Sequence, residues 1–136
     1  AQIAFGQYKA WQMGKHTFPS SGRRQDALHQ EDAVRVFRDA DKNGKRWRLA
    51  SKTKLPNLDW IDEGIFGINQ HSVTSDFVNH AQVGGWSAGC LVGRFFAEHQ
   101  AFLKLLRSDI RYQSNPKYMF MTAVVNGDLL HETVPL

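Results

Sequence analysis

The chain has almost no sulfur chemistry to draw on: its 136 residues include one cysteine, Cys90. A single thiol excludes an internal disulfide, so cysteine usage does not fix the redox compartment. It also excludes a structural zinc held by several thiolates. Long apolar runs are missing too. No stretch approaches the roughly 18 to 20 residues of a membrane helix, and no membrane span is expected. Internal repeats and low-complexity segments are absent. The start, Ala1-Gln2-Ile3-Ala4, shows no signal peptide and reads equally as a mature end left by cleavage or as an arbitrary boundary.

What remains is the composition of a globular domain. The apolar share is 42% and the charged share 22%, and the length suits one domain over 1–136 with a core that needs no staples. Seventeen Lys and Arg against thirteen Asp and Glu leave a net charge of +4. A mildly basic surface suits an anionic partner such as nucleic acid, an acidic polymer or a cell wall.

The patterning is mostly that of strands. Residues 3–19 mix aromatics with Gly6 and Gly14 and predict short strands with a turn. Residues 20–26 are polar and predict a loop. Residues 33–39 alternate and are β-branched, a strand signal, and Asn43-Gly44 marks a turn. From Lys45 to Asp62 the chain is basic and aperiodic, as in a long connection or weak hairpin. Residues 64–72 read as a buried strand ending at His71, residues 75–85 as a surface loop, and residues 87–93 as a turn running into a short strand. One helix is clear, over 94–108, where Phe95, Phe96, Phe102, Leu103, Leu105 and Leu106 recur with helical spacing. Residues 117–125 give a last strand, with a turn at 126–128. The expected architecture is a β-sandwich or partly open barrel with one main helix after the cysteine; α+β is the alternative.

Cys90 follows Ser87, Ala88 and Gly89 and lies nineteen positions beyond His71. A lone cysteine is often a small core residue. As a nucleophile it needs a base or cation beside it, because a free thiol is only a few per cent ionised at neutral pH. The small residues before Cys90 leave room for a carbonyl and let backbone N–H groups face a site. His71 pairs with Cys90 if their strands are neighbours, and such pairing lowers a thiol pKa below its free value of about 8.5. His80, in the loop, is a rival base held less firmly. His99 falls on the helix, packed or at the surface, and His16, His29 and His131 carry no motif.

Ile68-Asn69-Gln70-His71, a loop, then Ser87-Ala88-Gly89-Cys90-Leu91 resembles the active-site signature of L,D-transpeptidase catalytic domains. That family shows a strand ending in Ile-His-Gly, then Ser-His-Gly-Cys, an apolar residue and Arg. The likeness spans roughly residues 33 to 125, with about ten residues specific to it. Three positions depart: Ala88 replaces the second histidine, Ser72 the glycine and Val92 the arginine, the nearest arginine being Arg94. The resemblance implies acyl transfer on peptidoglycan stem peptides in the cell envelope, periplasmic or secreted, with no cofactor and no metal. Cys90 attacks the carbonyl before a terminal D-residue, His71 takes the thiol proton, and N–H groups near Gly89 and Cys90 hold the oxyanion. The thioester passes to an amine or to water, giving a transpeptidase or a carboxypeptidase/hydrolase. Ser87 either orients the imidazole or shapes the turn. Arg94 either binds a substrate carboxylate or is a solvated residue of the first helical turn. His80 and Trp86 complete the substrate-binding candidates. The rival is a non-catalytic wall-binding or carbohydrate-binding module on the same scaffold, of phage or secreted origin.

Three weaker signals are set aside. Asp39, Asp41, Asn43 and Gly44 match half of a calcium loop, but position twelve is Ala50; Asp59 or Asp62 would have to complete it. Lys42 to Lys54 holds six basic residues around Trp47, which reads as a solvated loop rather than a nucleic-acid site. His71, Asp76 and His80 match no zinc spacing. Oligomeric state leaves no mark in the sequence.

Overall fold

A computed structural model describes residues 2–18, 21–40, 59–73 and 89–125. The architecture is mostly β: one sheet curled into an open half-barrel packs together with a second, and two helices accompany them. In chain order the elements are β1 (Gln2–Ile3), β2 (Gly6–Thr17), β3 (Arg24–Gln30), β4 (Val34–Arg38), β5 (Trp60–Gly64), β6 (Gln70–Ser72), β7 (Leu91–Gly93), α1 (Phe96–Arg107), α2 (Ile110–Ser114) and β8 (Phe120–Val124). The smaller sheet runs β1-β4-β5 and the larger β7-β6-β3-β2-β8. Every pairing is antiparallel except β6 with β7.

The core forms where the sheets and α1 meet. Ile3, Tyr8, Trp11, Leu28, Val34, Val36, Ile68, Leu103 and Phe120 make one buried cluster. Trp11 is fully buried, and its indole N–H donates to the Ile68 carbonyl at 2.7 Å. That bond satisfies the one polar atom of a large apolar group and pins the chain just before β6. Helix α1 turns His99, Leu103 and Leu106 to one side, the i, i+4, i+7 spacing of a helix face. Its last turn carries Lys104 and Arg107, which suit the negative end of the helix dipole. Among the described residues, no helix is long and apolar enough to cross a membrane.

Several boundaries differ from the sequence reading. Residues 6–17 form one continuous strand rather than short strands around a turn. A Cβ at Gly14 would come 3.0 Å from His29 Cβ, so this glycine allows close packing against β3. The loop expected at 20–26 gives way to β3 from Arg24 onward. Of the long connection or weak hairpin expected through Asp62, the end from Trp60 pairs antiparallel with β4. The strand expected over 64–72 is split between Gly64, the end of β5, and β6 at 70–72, with Gly67 turning the chain between them at φ 70°. The turn at Asn43-Gly44, the loop at 75–85 and the turn at 126–128 lie outside the described residues.

Candidate functional site

Sheet register brings His71 and Cys90 together. In the parallel pair, Gln70 faces Leu91, His71 faces Val92 and Ser72 faces Gly93. The Leu91 N–H bonds the Asn69 carbonyl at 2.9 Å, which sets Cys90 beside Asn69 at the mouth of β7. Side chains alternate across a sheet, so Asn69, His71, Cys90 and Val92 share a face. His16 joins them: β2 pairs with β3 at His16–Gln25 and Gly14–Ala27, and β3 with β6 at Leu28–Gln70. His16 and His71 therefore stand on strands flanking β3, and their side chains reach towards each other across it. Helix α1 lies on the opposite face, where a Cβ at Gly93 would meet His99.

The chemical state of His71 follows from its partners. Its side chain is almost fully buried, at 1% exposure. Nδ1 lies 2.9 Å from the Ser72 carbonyl oxygen. A carbonyl only accepts, so Nδ1 carries the proton and Nε2 the lone pair. Nε2 is buried and has no hydrogen-bond partner among the described residues. Leaving such an acceptor unmet costs about 1–3 kcal/mol. Gln25 Nε2 donates to the same Ser72 carbonyl at 2.7 Å and fixes the oxygen that orients the ring. Burial holds the His71 pKa below the ordinary histidine value, against a smaller opposing effect of the Ser72 bond, and the ring is neutral at pH 7.

Cys90 is half-buried. Its thiol donates weakly to the Gly67 carbonyl, with S···O 3.6 Å. Gly89 before it has φ 155°, a conformation open in practice only to glycine. One ring nitrogen from each of His16 and His71 and the Cys90 sulfur all lie within 4.8 Å of one another.

His16 carries no motif in the sequence, and the structure places it against His71. Its ring stacks on His71 with centroids 3.9 Å apart and planes 4° from parallel. Phe18 stands perpendicular to both rings, with centroids 4.7 and 5.5 Å away. The Gln30 backbone N–H donates to Asn69 Oδ1 at 3.0 Å, so the Asn69 amide must turn its Nδ2 to His16 Nδ1, 3.2 Å away. Nδ1 therefore accepts, and a neutral His16 carries its proton on Nε2. The His16 pKa is lowered to about 4, first by burial and then by the charges of His71 and His29. The only signal that finds His16 is register, since 55 residues separate it from His71.

A lone-pair nitrogen beside a half-exposed thiol can accept the sulfur's proton as the sulfur attacks an electrophile. Metal binding by all three side chains is a poorer match. Parallel stacked rings aim their lone pairs along separate planes, so both cannot converge on one ion unless a ring leaves the stack. The His16 Nδ1 lone pair is also held by Asn69.

The other expected residues divide in two. Gly89 and Arg94 are described; Ser87, Trp86 and His80 lie outside the described residues, as do Ala88 and Asp76. Arg94 precedes α1 rather than occupying its first turn, and its guanidinium sits over the Phe95 ring at 5.2 Å. Among the described residues, the Ser72 carbonyl takes the hydrogen bond from His71 Nδ1. His99 is packed on α1 with its Nε2 buried. In the half calcium loop, Asp62 pairs with Arg38 and Asp59 accepts the Ala40 N–H, so neither stands ready to complete it; Asp41, Asn43 and the basic stretch around Trp47 lie outside the described residues. Compared with protein-family models, curated proteins and solved structures, the chain finds no match.

Proposed function

We propose that the chain is a cysteine-dependent acyl-transfer enzyme of the L,D-transpeptidase type, acting on peptidoglycan stem peptides. One observation carries the reading: the buried, neutral His71 has Nδ1 engaged by Ser72 and a nitrogen within 4.8 Å of the Cys90 sulfur. A buried base with an unmet lone pair beside an accessible thiol is what nucleophilic catalysis requires. The sequence around both residues, with the order His, loop, Ser-x-Gly-Cys, supplies the substrate class.

In the reaction the Cys90 sulfur adds to the carbonyl carbon of a stem-peptide amide, and its proton passes to His71 Nε2. The tetrahedral intermediate collapses, the C–N bond breaks, and His71 returns the proton to the departing amine. A thioester remains on Cys90. An acceptor amine then attacks it, giving a cross-link, or water does, giving the free acid; in either case the thiol is restored. Backbone N–H groups at Gly89 and Cys90 are the nearest candidates for the oxyanion, a contribution of about 3 kcal/mol in comparable sites.

The test is intact-mass spectrometry after mixing the protein with a tetrapeptide stem ending in a D-residue. The expected product is an acyl adduct on Cys90, absent in Cys90→Ser at neutral pH, with release of the terminal D-residue. Binding of the peptide without adduct or release would replace this reading with the wall-binding module.

A further inference from the structure

The acyl-transfer reading uses Cys90 and His71 and leaves His16 without work. We propose that His16 is a positioning residue for the base: a flat ring that fixes the plane of His71 and backs the imidazolium formed when His71 takes the thiol proton. The inference rests on Cys90 and His71 being nucleophile and base.

Four observations support it. The two rings are nearly parallel, at 4°, with centroids 3.9 Å apart. Phe18 closes the edge of both rings and limits their rotation. Asn69, two residues before His71, holds His16 Nδ1, so the stacking partner is tied to the segment that carries the base. Asn69 is itself fixed by the Gln30 N–H in β3, the strand lying between the two histidines. The stack is therefore over-determined from β2, β3 and β6, as a ring in a catalytic role needs to be.

The arrangement also solves a charge problem. A second imidazole near a base would oppose its protonation if it were charged. His16 stays neutral, first through burial, so His71 gains its proton against a π face rather than against a cation. Contacts between a cation and an aromatic face correspond to rate factors of about 3 to 30. His99, the other buried imidazole near His71, packs from the α1 side of the sheet and does not share this face.

A double-mutant cycle on Cys90 alkylation by iodoacetamide at pH 7 tests the proposal, with folding checked by circular dichroism. His71→Ala should slow the reaction at least tenfold. His16→Ala should slow it about tenfold, and His16→Phe, which keeps the flat ring, by less than threefold. In the His71→Ala background, His16→Ala should change nothing further, because His16 acts through His71. A merely structural role would slow alkylation by the same factor in both backgrounds and would overturn the inference. An unchanged rate in folded His16→Ala would also overturn it. If His16→Ala does not fold, His16→Gln, which lacks a ring, takes its place under the same criteria. No effect of His71→Ala would instead sink the nucleophile-base reading itself.

Discussion

Replacing Gln30 by Leu should cost the protein about 3–5 kcal/mol, and the reason lies in how β6 is held. Gln30 is 1% exposed. Its Nε2 donates to the Asp32 and Gly64 carbonyls at 2.8 and 3.0 Å, and its Oε1 accepts from the Phe66 and Ile68 N–H groups at 3.0 and 2.8 Å. Every donor and acceptor of the amide is thus used, three of the four bonds on the segment that carries the chain from β5 to His71. Leu has similar volume, so packing is roughly kept while all four bonds go. At about 1 kcal/mol net for each bond, the loss is about 4 kcal/mol. Orphaned backbone groups that stay dry push it up; those that regain water bring it down. Against a typical domain stability of about 5–15 kcal/mol this is a large fraction. Urea unfolding followed by tryptophan fluorescence measures it. With a slope of about 1–3 kcal/mol/M, the midpoint should fall by roughly 2 M with the slope unchanged. A loss under about 1 kcal/mol would refute the view that Gln30 holds this segment. Because Asn69 and His71 follow directly, the folded variant should also show slower Cys90 alkylation.

Further outcomes follow from the same geometry. Gly89→Ala forces a side chain onto φ 155°; about 1–3 kcal/mol of strain should appear as a lower melting temperature and slower alkylation, and unchanged values of both would contradict the assignment. Ala27, fully buried on the face between the two histidine strands, should tolerate no larger residue. Ala27→Leu is expected to separate the stacked rings, seen as shifted His16 and His71 ring resonances in NMR spectra, and unshifted resonances would count against the packing. Acid should weaken the fold in a defined window. Burial holds His16, His71 and His99 below the ordinary histidine value of about 6.5, His16 at about 4. The unfolded chain therefore takes protons first as pH falls, so this contribution is full above about 6.5 and is lost towards about 4 as His16 titrates. The His16 shift alone would be worth about 3 kcal/mol. Partial exposure screens it to about 1–2 kcal/mol. Urea midpoints that stay flat or rise from pH 7 to 4.5 would contradict this.

The sequence made one half of the site legible. His71 and Cys90 each sit in a short local pattern, and neighbouring strands were enough to bring them together. Helix α1 was readable because Phe95, Phe96, Phe102, Leu103, Leu105 and Leu106 recur at helical spacing, although Phe95, Phe102 and Leu105 are exposed, and β4 because its β-branched residues alternate. Strand β3 was not, since its polar residues suggest a surface loop. Gln25 and Gln30 are in fact buried and satisfied by specific hydrogen bonds to Ser72, Asp32, Gly64, Phe66 and Ile68. A hydrophobicity pattern has no means of anticipating those bonds. With β3 unseen, the register linking His16 to His71 was unseen as well. Gly14 misled for a related reason: in a strand, glycine marks close approach of a neighbour as readily as a turn.

The arrangement around His71 and Cys90 carries a local cost to the fold. A buried imidazole nitrogen without a partner and a glycine held at φ 155° are both unfavourable locally. One lies within β6 and the other just before β7, and both are offset by the hydrogen bonds that Gln25, Gln30 and Asn69 make around them. Local inconsistency supported by a consistent surround is the expected signature of a functional site.

The central claim is that His71 activates Cys90, and the iodoacetamide rate from pH 4 to 9 tests it most directly, on wild type and on His71→Ala. The account predicts that wild type keeps reacting well below pH 7, until His71 itself is protonated. His71→Ala should lose rate about tenfold per pH unit below the ionisation of an ordinary thiol near 8.5. Two superimposable profiles, both following an ordinary thiol, would contradict the claim.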